Sequence, residues 1–502
     1  MAKICLCLTG KTLAQDLEIL ERNRKYIDMV ELRADCLDPD ERLMLRRFPE
    51  MAGVPVILCI RRGIDGGCYL GGEGSRVMLL ARGMAYADAD RRRNFAYVDL
   101  EDDLNVPSVE EAARAFGTRI IRSWYNQEGV DEDLPGKLRK LRRVGDEIAK
   151  ATLTPRCLDD MVKVYQAARE TRDIDKIFHC MGEYSANTCI LAKHLGSRIS
   201  YTFPAGESSL PPLEPGQVDP RELAELYRFH EISAKTKVFA VTGNPLDSPA
   251  SPRFFNTLFR IEQTDAVHIP IPADSIHSMV SLAEEIGIMG FSVTIPYKEA
   301  IVSCLENKSK EVLSIGACNV VVASPQGWTG YNTDATGFSG SLLAFIGRKD
   351  IRRKKVTIIG AGGSARAVAA EVQRLRGKAL ILNRTVARAR ALAEQYNFAW
   401  AGLDSRGADL MEKYSDIIIQ TSPVGMAPNI EADPIEFYKF SGREIVMDLI
   451  HKPEKTQCLK RAEDAGCRIL NGYDMLLRKF RCYYTYYMNK EFPLSLVSRV
   501  RI

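Results

Sequence analysis

The sequence lacks a long apolar run, a strong charge of either sign and any paired-cysteine spacing. No stretch of its 502 residues stays apolar long enough to span a bilayer. The opening MAKICLCLTG reads as a strand and lacks the layout of a signal peptide. Net charge is only +4, too little to argue for nucleic acid or a membrane surface as a partner. The basic runs Arg91-Arg92-Arg93 and Arg352-Arg353-Lys354-Lys355 read as solvated faces. The 13 cysteines form no CxxC pair and no Cys/His ligand spacing, which argues against a metal site or a disulfide framework. Cys5, Cys7 and Cys59 sit inside apolar strands and read as free core thiols in a reducing compartment. These absences predict a cytoplasmic protein without a metal.

What is there is ordinary globular composition, 46% hydrophobic and 27% charged. The length allows two to four domains. One stretch organises the rest: Val356 to Ala367, VTIIGAGGSARA. Apolar, largely β-branched residues run into Gly360-Ala361-Gly362-Gly363, and a segment with helical spacing follows through Ser364 and Ala365. This is a buried strand, a tight turn and a helix start. Such a helix start offers free N–H groups and partial positive charge to a pyrophosphate. The next apolar run, Ala379 to Leu382, ends in Asn383-Arg384-Thr385. An acidic residue there would hold a ribose 2′-OH, whereas Arg384 suits a 2′-phosphate, so the expected cofactor is NADP.

In the first half, short apolar runs alternate with helical segments: Ile4–Leu8, Met29–Leu32, Val56–Ile60, Ala96–Leu100, Arg119–Ile121, Glu147–Ala151, Lys176–His179 and Ile199–Phe203. The alternation suggests a (β/α)8 barrel, with a doubly wound sheet as the alternative. Polar residues gather at the C-terminal ends of these runs, where barrel chemistry sits: Glu31 and Arg33, Arg61, Asp99 with Glu101, and Lys150. A lysine buried there could have its pKa lowered by desolvation and act as an amine nucleophile. A structural lysine–carboxylate pair is the other reading of Lys150.

ELRAD (31–35), CIRRG (59–63), IAKATLTP (148–155), FHCMGEYS (178–185) and PGQ (215–217) together resemble the type I 3-dehydroquinate dehydratase family, over Lys3 to Glu231. The resemblance implies that Lys150 is the Schiff-base lysine and that Glu31, Arg33, Arg61 and Gln217 bind substrate. Three positions depart from it. Tyr125 stands where the family has its proton-carrying histidine, Cys189 replaces a carboxylate-binding arginine, and Leu213 replaces a serine. A phenol with an ordinary pKa near ~10 shuttles protons poorly at neutral pH. Cys and Leu cannot offer a carboxylate the charge-assisted hydrogen bonds of Arg and Ser. These replacements predict weak or absent dehydratase turnover.

From Lys235 a second series of motifs begins. It comprises GNPLDSPASPRFFN (243–256), GFSVTIPYKEA (290–300), IGACNVVV (315–322), GYNTDATGF (330–338), TSPVGM (421–426), VMDLIHKPEKT (446–456) and GYDMLL (472–477). In this order they resemble the shikimate dehydrogenase family over Lys235 to Phe492, and with the barrel in front the layout resembles its fusions with a dehydratase. The family reduces 3-dehydroshikimate to shikimate with NADPH. The resemblance implies a catalytic pair in Lys298 and Asp334 and substrate hydroxyl contacts at Thr294 and Asn319. It places Ser251 and Lys479 in the substrate pocket. Leu449 and Gly472 join Gly360 to Ala365 and Asn383 to Thr385 on the cofactor side. Departures lie on the substrate side: Pro249 for a serine, with Ser248 and Ser251 beside it, His451 for a tyrosine and Lys479 for a glutamine.

The expected architecture is α/β. A TIM barrel (1–233) precedes a substrate domain (234–340), a Rossmann domain (341–475) and a C-terminal helical segment (476–502). The aromatic run FRCYYTYYM (480–488) is expected to pack on the catalytic domain. The expected function is NADP-dependent dehydrogenation of shikimate or a related cyclic hydroxy acid in aromatic amino acid biosynthesis. Its expected partners are small cyclic hydroxy and keto acids. The alternative is a sensor that keeps the fold and binds quinate- or shikimate-like acids.

Overall fold

The computed structural model describes residues 2–500 except 86, 87, 89, 206–216, 247, 248 and 497–499. The chain divides into two compact units, one of residues 1–242 and 246–288, the other of 243–245 and 289–501. Among the described residues no helix is long and apolar enough to cross a membrane.

The first unit opens with eight parallel strands: β1 (Lys3–Leu8), β2 (Met29–Arg33), β3 (Val56–Cys59), β4 (Tyr97–Glu101), β5 (Arg119–Asn126), β6 (Ile148–Leu153), β7 (Lys176–Cys180) and β8 (Ile199–Thr202). Their order is β7-β6-β5-β4-β3-β2-β1-β8. A bridge from Lys176 to Ser197 and a bond from the Arg198 N–H to the Lys176 carbonyl bring β8 against β7 and nearly close a barrel. Strand alternation sorts the side chains into two cores. Leu6, Val30, Leu58, Val98 and Leu100 pack outward with the surrounding helices. Cys5, Cys7, Met29, Ile57, Ile121, Ile148, Ile177, Ile199 and Tyr201 fill the interior. A barrel, not a doubly wound sheet, is therefore what the alternation encodes.

One strand is longer than its apolar run. The sequence pattern ends the fifth run at Ile121, but β5 continues to Asn126 and pairs with β6 as far as Asn126 opposite Leu153. Arg122 broke the pattern. It is fully buried, yet its guanidinium donates to Glu110 and Glu147, so a charge sits in a strand without an unpaired cost. The extension puts Tyr125 on the strand itself. The unit ends with β9 (Lys237–Gly243), the helix Ala250–Ile261, β10 (Ala266–Pro272) beside β9, and the helix Ile276–Ile286.

The second unit holds two sheets. In one, β11 (Ile288–Val293), β13 (Val320–Ser324) and β14 (Gly327–Tyr331) pair antiparallel, and β12 (Asn307–Lys308) adds parallel to β14. The other is parallel: β15 (Lys355–Ile359), β16 (Lys378–Asn383), β17 (Ala399–Gly402), β18 (Ile417–Gln420), β19 (Ile445–Asp448) and β20 (Arg468–Leu470). Its order, β17-β16-β15-β18-β19-β20, reverses direction between β15 and β18. That switch point is where open α/β sheets bind nucleotides. The last helix, Tyr473–Met488, buries Met475, Phe480, Tyr483, Tyr484 and Tyr487. It lies close on the helix Asp334–Ile346, since a Cβ at Gly337 would sit 2.8 Å from Lys479 Cγ and 3.2 Å from the Met475 carbonyl. The aromatic run is thus packed core.

Candidate functional site

Each unit gathers polar groups that a folded chain does not bury without cause. In the barrel, Lys150 points inward from β6 and is fully buried. Its Nζ lies 2.8 Å from Asp99 Oδ2 and 3.4 Å from Glu31 Oε2. Burial alone would lower the lysine pKa, but the two carboxylates outweigh it and hold Lys150 well above its ordinary value. The expected depressed amine is therefore corrected: the resting lysine is a charged member of a lysine–carboxylate triad. Burial also pushes the phenol of Tyr125 far up, so it stays protonated.

The expected barrel residues have unequal company. Arg33 is spent on Asp35, with bonds of 3.0 and 2.8 Å. Arg61 makes no ion pair among the described residues; its guanidinium stacks 4.5 Å from the Tyr125 ring centroid, and its buried Nε has no partner. It is a buried cation without a carboxylate partner among the described residues. Gln217 is half-buried with its Oε1 unpartnered. Cys189 faces Ser200 Oγ at 3.1 Å and the Tyr201 carbonyl at 3.3 Å. Leu213 and Ser248 lie outside the described residues. Tyr125 Oη, Thr152 Oγ1 and Tyr201 Oη are buried on inward positions without hydrogen-bond partners. Inward hydroxyls around a lysine and a free arginine suit a polyhydroxylated keto acid.

Sequence reasoning passed over Thr152, Tyr201 and His179. Lys150 Nζ sits 4.5 Å from the Tyr201 ring centroid. The His179 ring meets that same ring at 5.0 Å. Inward parity on β6, β7 and β8 was the signal that could have found them.

In the second unit, Lys298 Nζ lies 2.5 Å from Asp334 Oδ2, and both are buried. Asp334 opens the helix Asp334–Ile346, where the helix dipole favours a carboxylate. Its Oδ1 accepts from Asn319 Nδ2 at 3.1 Å and meets Lys479 Nζ at 2.7 Å. The two ammonium groups hold Asp334 well below the usual carboxylate range against the opposing effect of burial. Burial first, and the Lys479 charge after it, lower the pKa of Lys298 despite Asp334. The arrangement is an ionised carboxylate orienting a lysine that gives up its proton more readily than usual. Asn319 Nδ2 also donates to Thr333 Oγ1 at 3.1 Å, and Tyr483 Oη is within 3.3 Å. Thr294 stands in the loop after β11, half-buried. Ser251, in the first unit, is buried in the first turn of the helix Ala250–Ile261, which Pro249 caps. His451 is half-buried, and burial with the Lys479 and Lys452 charges lowers its pKa.

The glycine loop joins β15 to the helix Gly363–Arg374. Gly360 has φ +111° and a Cβ there would meet Thr421 Oγ1 at 2.6 Å, so only glycine serves. Gly362 faces open space, and no side chain caps the helix behind it. Its first-turn N–H groups, from Gly363, Ser364 and Ala365, are thus left for an anion. At Gly363 the crowding comes from Lys298, whose Cβ would lie 2.8 Å from an added Cβ. Ser364 Oγ accepts from Lys298 Nζ at 3.0 Å. At the end of β16, Asn383 Nδ2 bonds the Thr385 carbonyl, while Arg384 is exposed with no ion pair among the described residues. Leu449 follows β19, and a Cβ at Gly472 would lie 2.1 Å from its carbonyl oxygen. An uncapped helix start beside an unpaired arginine fits a dinucleotide bearing a 2′-phosphate.

Comparison with known proteins agrees in order and extent. The family profile described as Type I 3-dehydroquinase matches residues 4–234. Those for the shikimate dehydrogenase substrate binding domain and for shikimate/quinate 5-dehydrogenase match 241–321 and 343–442. A chloroplastic bifunctional 3-dehydroquinate dehydratase/shikimate dehydrogenase of Arabidopsis thaliana is 27% identical over 90% of this chain and 76% of its own. The shikimate dehydrogenase (NADP(+)) of Methanocaldococcus jannaschii is 35% identical over 49% of this chain and 89% of its own. A solved shikimate dehydrogenase in complex with NADP+ covers 54% of this chain and 98% of its own, at 32% identity and a TM-score of 0.48. These named relatives lend nothing to the sensor alternative. The chain belongs to the shikimate dehydrogenase family, with a type I 3-dehydroquinase segment ahead of its dehydrogenase part.

Proposed function

We propose that the chain is a two-activity enzyme of the shikimate route to aromatic amino acids, its dehydratase turnover weakened by the replacements at Tyr125, Cys189 and Leu213. Its second half, a substrate domain (234–340), a Rossmann domain (341–475) and the C-terminal segment (476–502), interconverts 3-dehydroshikimate and shikimate with NADP(H). Its barrel (1–233) handles 3-dehydroquinate. The observation that carries the dehydrogenase reading is the Lys298–Asp334 contact hydrogen-bonded onto the nucleotide loop through Ser364. When bound at that loop, the cofactor supplies or takes the hydride. Lys298 holds the proton that the ketone oxygen takes, and in the reverse direction it accepts the hydroxyl proton. Asp334, fixed by Asn319 and Lys479, keeps the ammonium aimed. Lys479, tied to Asp334, belongs to the reacting end of this site, and Thr294 and Asn319 supply polar contacts to the substrate hydroxyls. The Lys150 amine forms the imine in the barrel once Asp99 has taken its proton, and Arg61 holds the carboxylate. The reading is completed by a cytoplasmic setting and small cyclic acids as partners, supported by the modest net charge of +4 and by the buried thiols of Cys5 and Cys7.

The test is Lys298→Ala. Its kcat for shikimate oxidation should collapse while NADP affinity stays nearly intact, because the lysine acts on the substrate oxygen. An unchanged kcat sinks the assignment.

A further inference from the structure

The barrel has an amine for imine chemistry, but Tyr125 cannot carry protons: burial holds its phenol protonated. A different side chain is placed to do so. His179 is the only histidine on the eight barrel strands. It lies on β7 opposite Thr152 of β6, two residues beyond the inward-packed Ile177. It therefore shares the inward parity of Lys150 and Thr152 on the neighbouring strand. Its ring sits 5.0 Å from the Tyr201 ring, and Lys150 Nζ sits 4.5 Å from that same ring. Imidazole and amine thus flank one aromatic side chain. The imidazole is partly exposed and makes no hydrogen bond or ion pair among the described residues. Burial and the cations Lys150, Arg61 and Arg33 keep it neutral, the form that accepts a proton.

We propose that His179 is the proton carrier of elimination in this barrel. The inference rests on the dehydratase reading of that domain. Lys150 passes an ammonium proton to Asp99, and the free amine attacks the ketone carbon of 3-dehydroquinate. A C–N bond forms, the carbonyl oxygen leaves as water, and an iminium results. His179 takes the proton from the carbon next to the iminium, and the C–H electrons become the enamine double bond. The enamine then expels the β-hydroxyl. That C–O bond breaks, and the oxygen leaves as water with the proton His179 has just taken. Hydrolysis of the iminium returns the Lys150 amine and consumes one water, equal to the one released when the imine formed. The substrate has lost one water in all, and no oxidant or reductant is needed.

The experiment compares the unaltered full chain with His179→Asn and His179→Gln on 3-dehydroquinate. Two quantities are read: turnover, and borohydride trapping of substrate on Lys150 by intact mass. General acid–base catalysis contributes typically ~10²–10⁴-fold, so turnover should fall by about that factor in both variants. Trapping should persist at the unaltered level, since imine formation does not need His179. Turnover that survives the substitutions overturns the inference and leaves the dehydratase reading standing. Parallel loss of trapping and turnover overturns it too, because His179 would then only support the fold. No turnover in the unaltered protein overturns the inference together with the dehydratase reading.

Discussion

Arg384 is exposed at the end of β16 with no ion pair among the described residues. A guanidinium so placed gains from a 2′-phosphate and little from a 2′-hydroxyl. Arg384→Ala should therefore weaken NADP binding at least tenfold and NAD binding far less. Equal losses for the two nucleotides would contradict the cofactor assignment. Lys479 makes a different prediction. Its charge is one of the causes that lower the Lys298 pKa. Removing it in Lys479→Gln raises that pKa, so a larger fraction of Lys298 stays protonated at a given pH. In the proposed mechanism, shikimate oxidation draws on the unprotonated lysine. The acid limb of its kcat/KM profile should then move to higher pH, and a limb that stays in place would refute the coupling. At this scale the sequence was legible where one motif carries one role. Lys298 and Asp334, 36 residues apart, meet as the resemblance implied. It was illegible where a side chain's state depends on partners from other strands. The pKa of Lys150 goes up because β2 and β4 supply Glu31 and Asp99, and Arg33 is engaged by Asp35, which no spacing rule announces.

At the scale of elements, apolar patterning and observed strand ends differ by a few residues. Apolar periodicity found the barrel strands because one side of each faces a dry core. It lost β5 at Arg122, since a charge buried with its own carboxylates looks like a loop to a hydropathy pattern. Nor does apolar periodicity reveal which way a polar residue such as His179 faces on β7. The glycine loop was legible as a tight turn between strand and helix, yet its neighbouring glycines answer to different neighbours. Gly362 faces open space and Gly363 faces Lys298. Gly362→Ala should raise the KM for the nucleotide with kcat nearly kept. Gly363→Ala should push the lysine off its position and lower kcat on the order of 10- to 100-fold, as misplacements near 1 Å do. Steady-state kinetics on the two variants check this; identical effects would show that the loop tolerates or refuses a Cβ as a whole.

Across the whole molecule, each half buries a lysine against carboxylate from its own part of the chain. Among the described residues, the ion pairs of Lys150 come from barrel strands and that of Lys298 comes from the second unit. Lys150→Ala should end borohydride trapping and leave the shikimate oxidation rate within about twofold of the unaltered protein. A large loss in that rate would mean that the barrel supports the dehydrogenase in a way these contacts do not show.

The bond between Lys298 and Ser364 reaches further than positioning. Ser364 stands in the first turn of the nucleotide-loop helix, so a phosphate drawing on its hydroxyl polarises the same oxygen that the lysine holds. Nucleotide and proton then act as linked ligands: whatever preference one has for the other's presence is returned in equal measure. Coenzyme affinity would then carry, through one serine, a dependence on acidity.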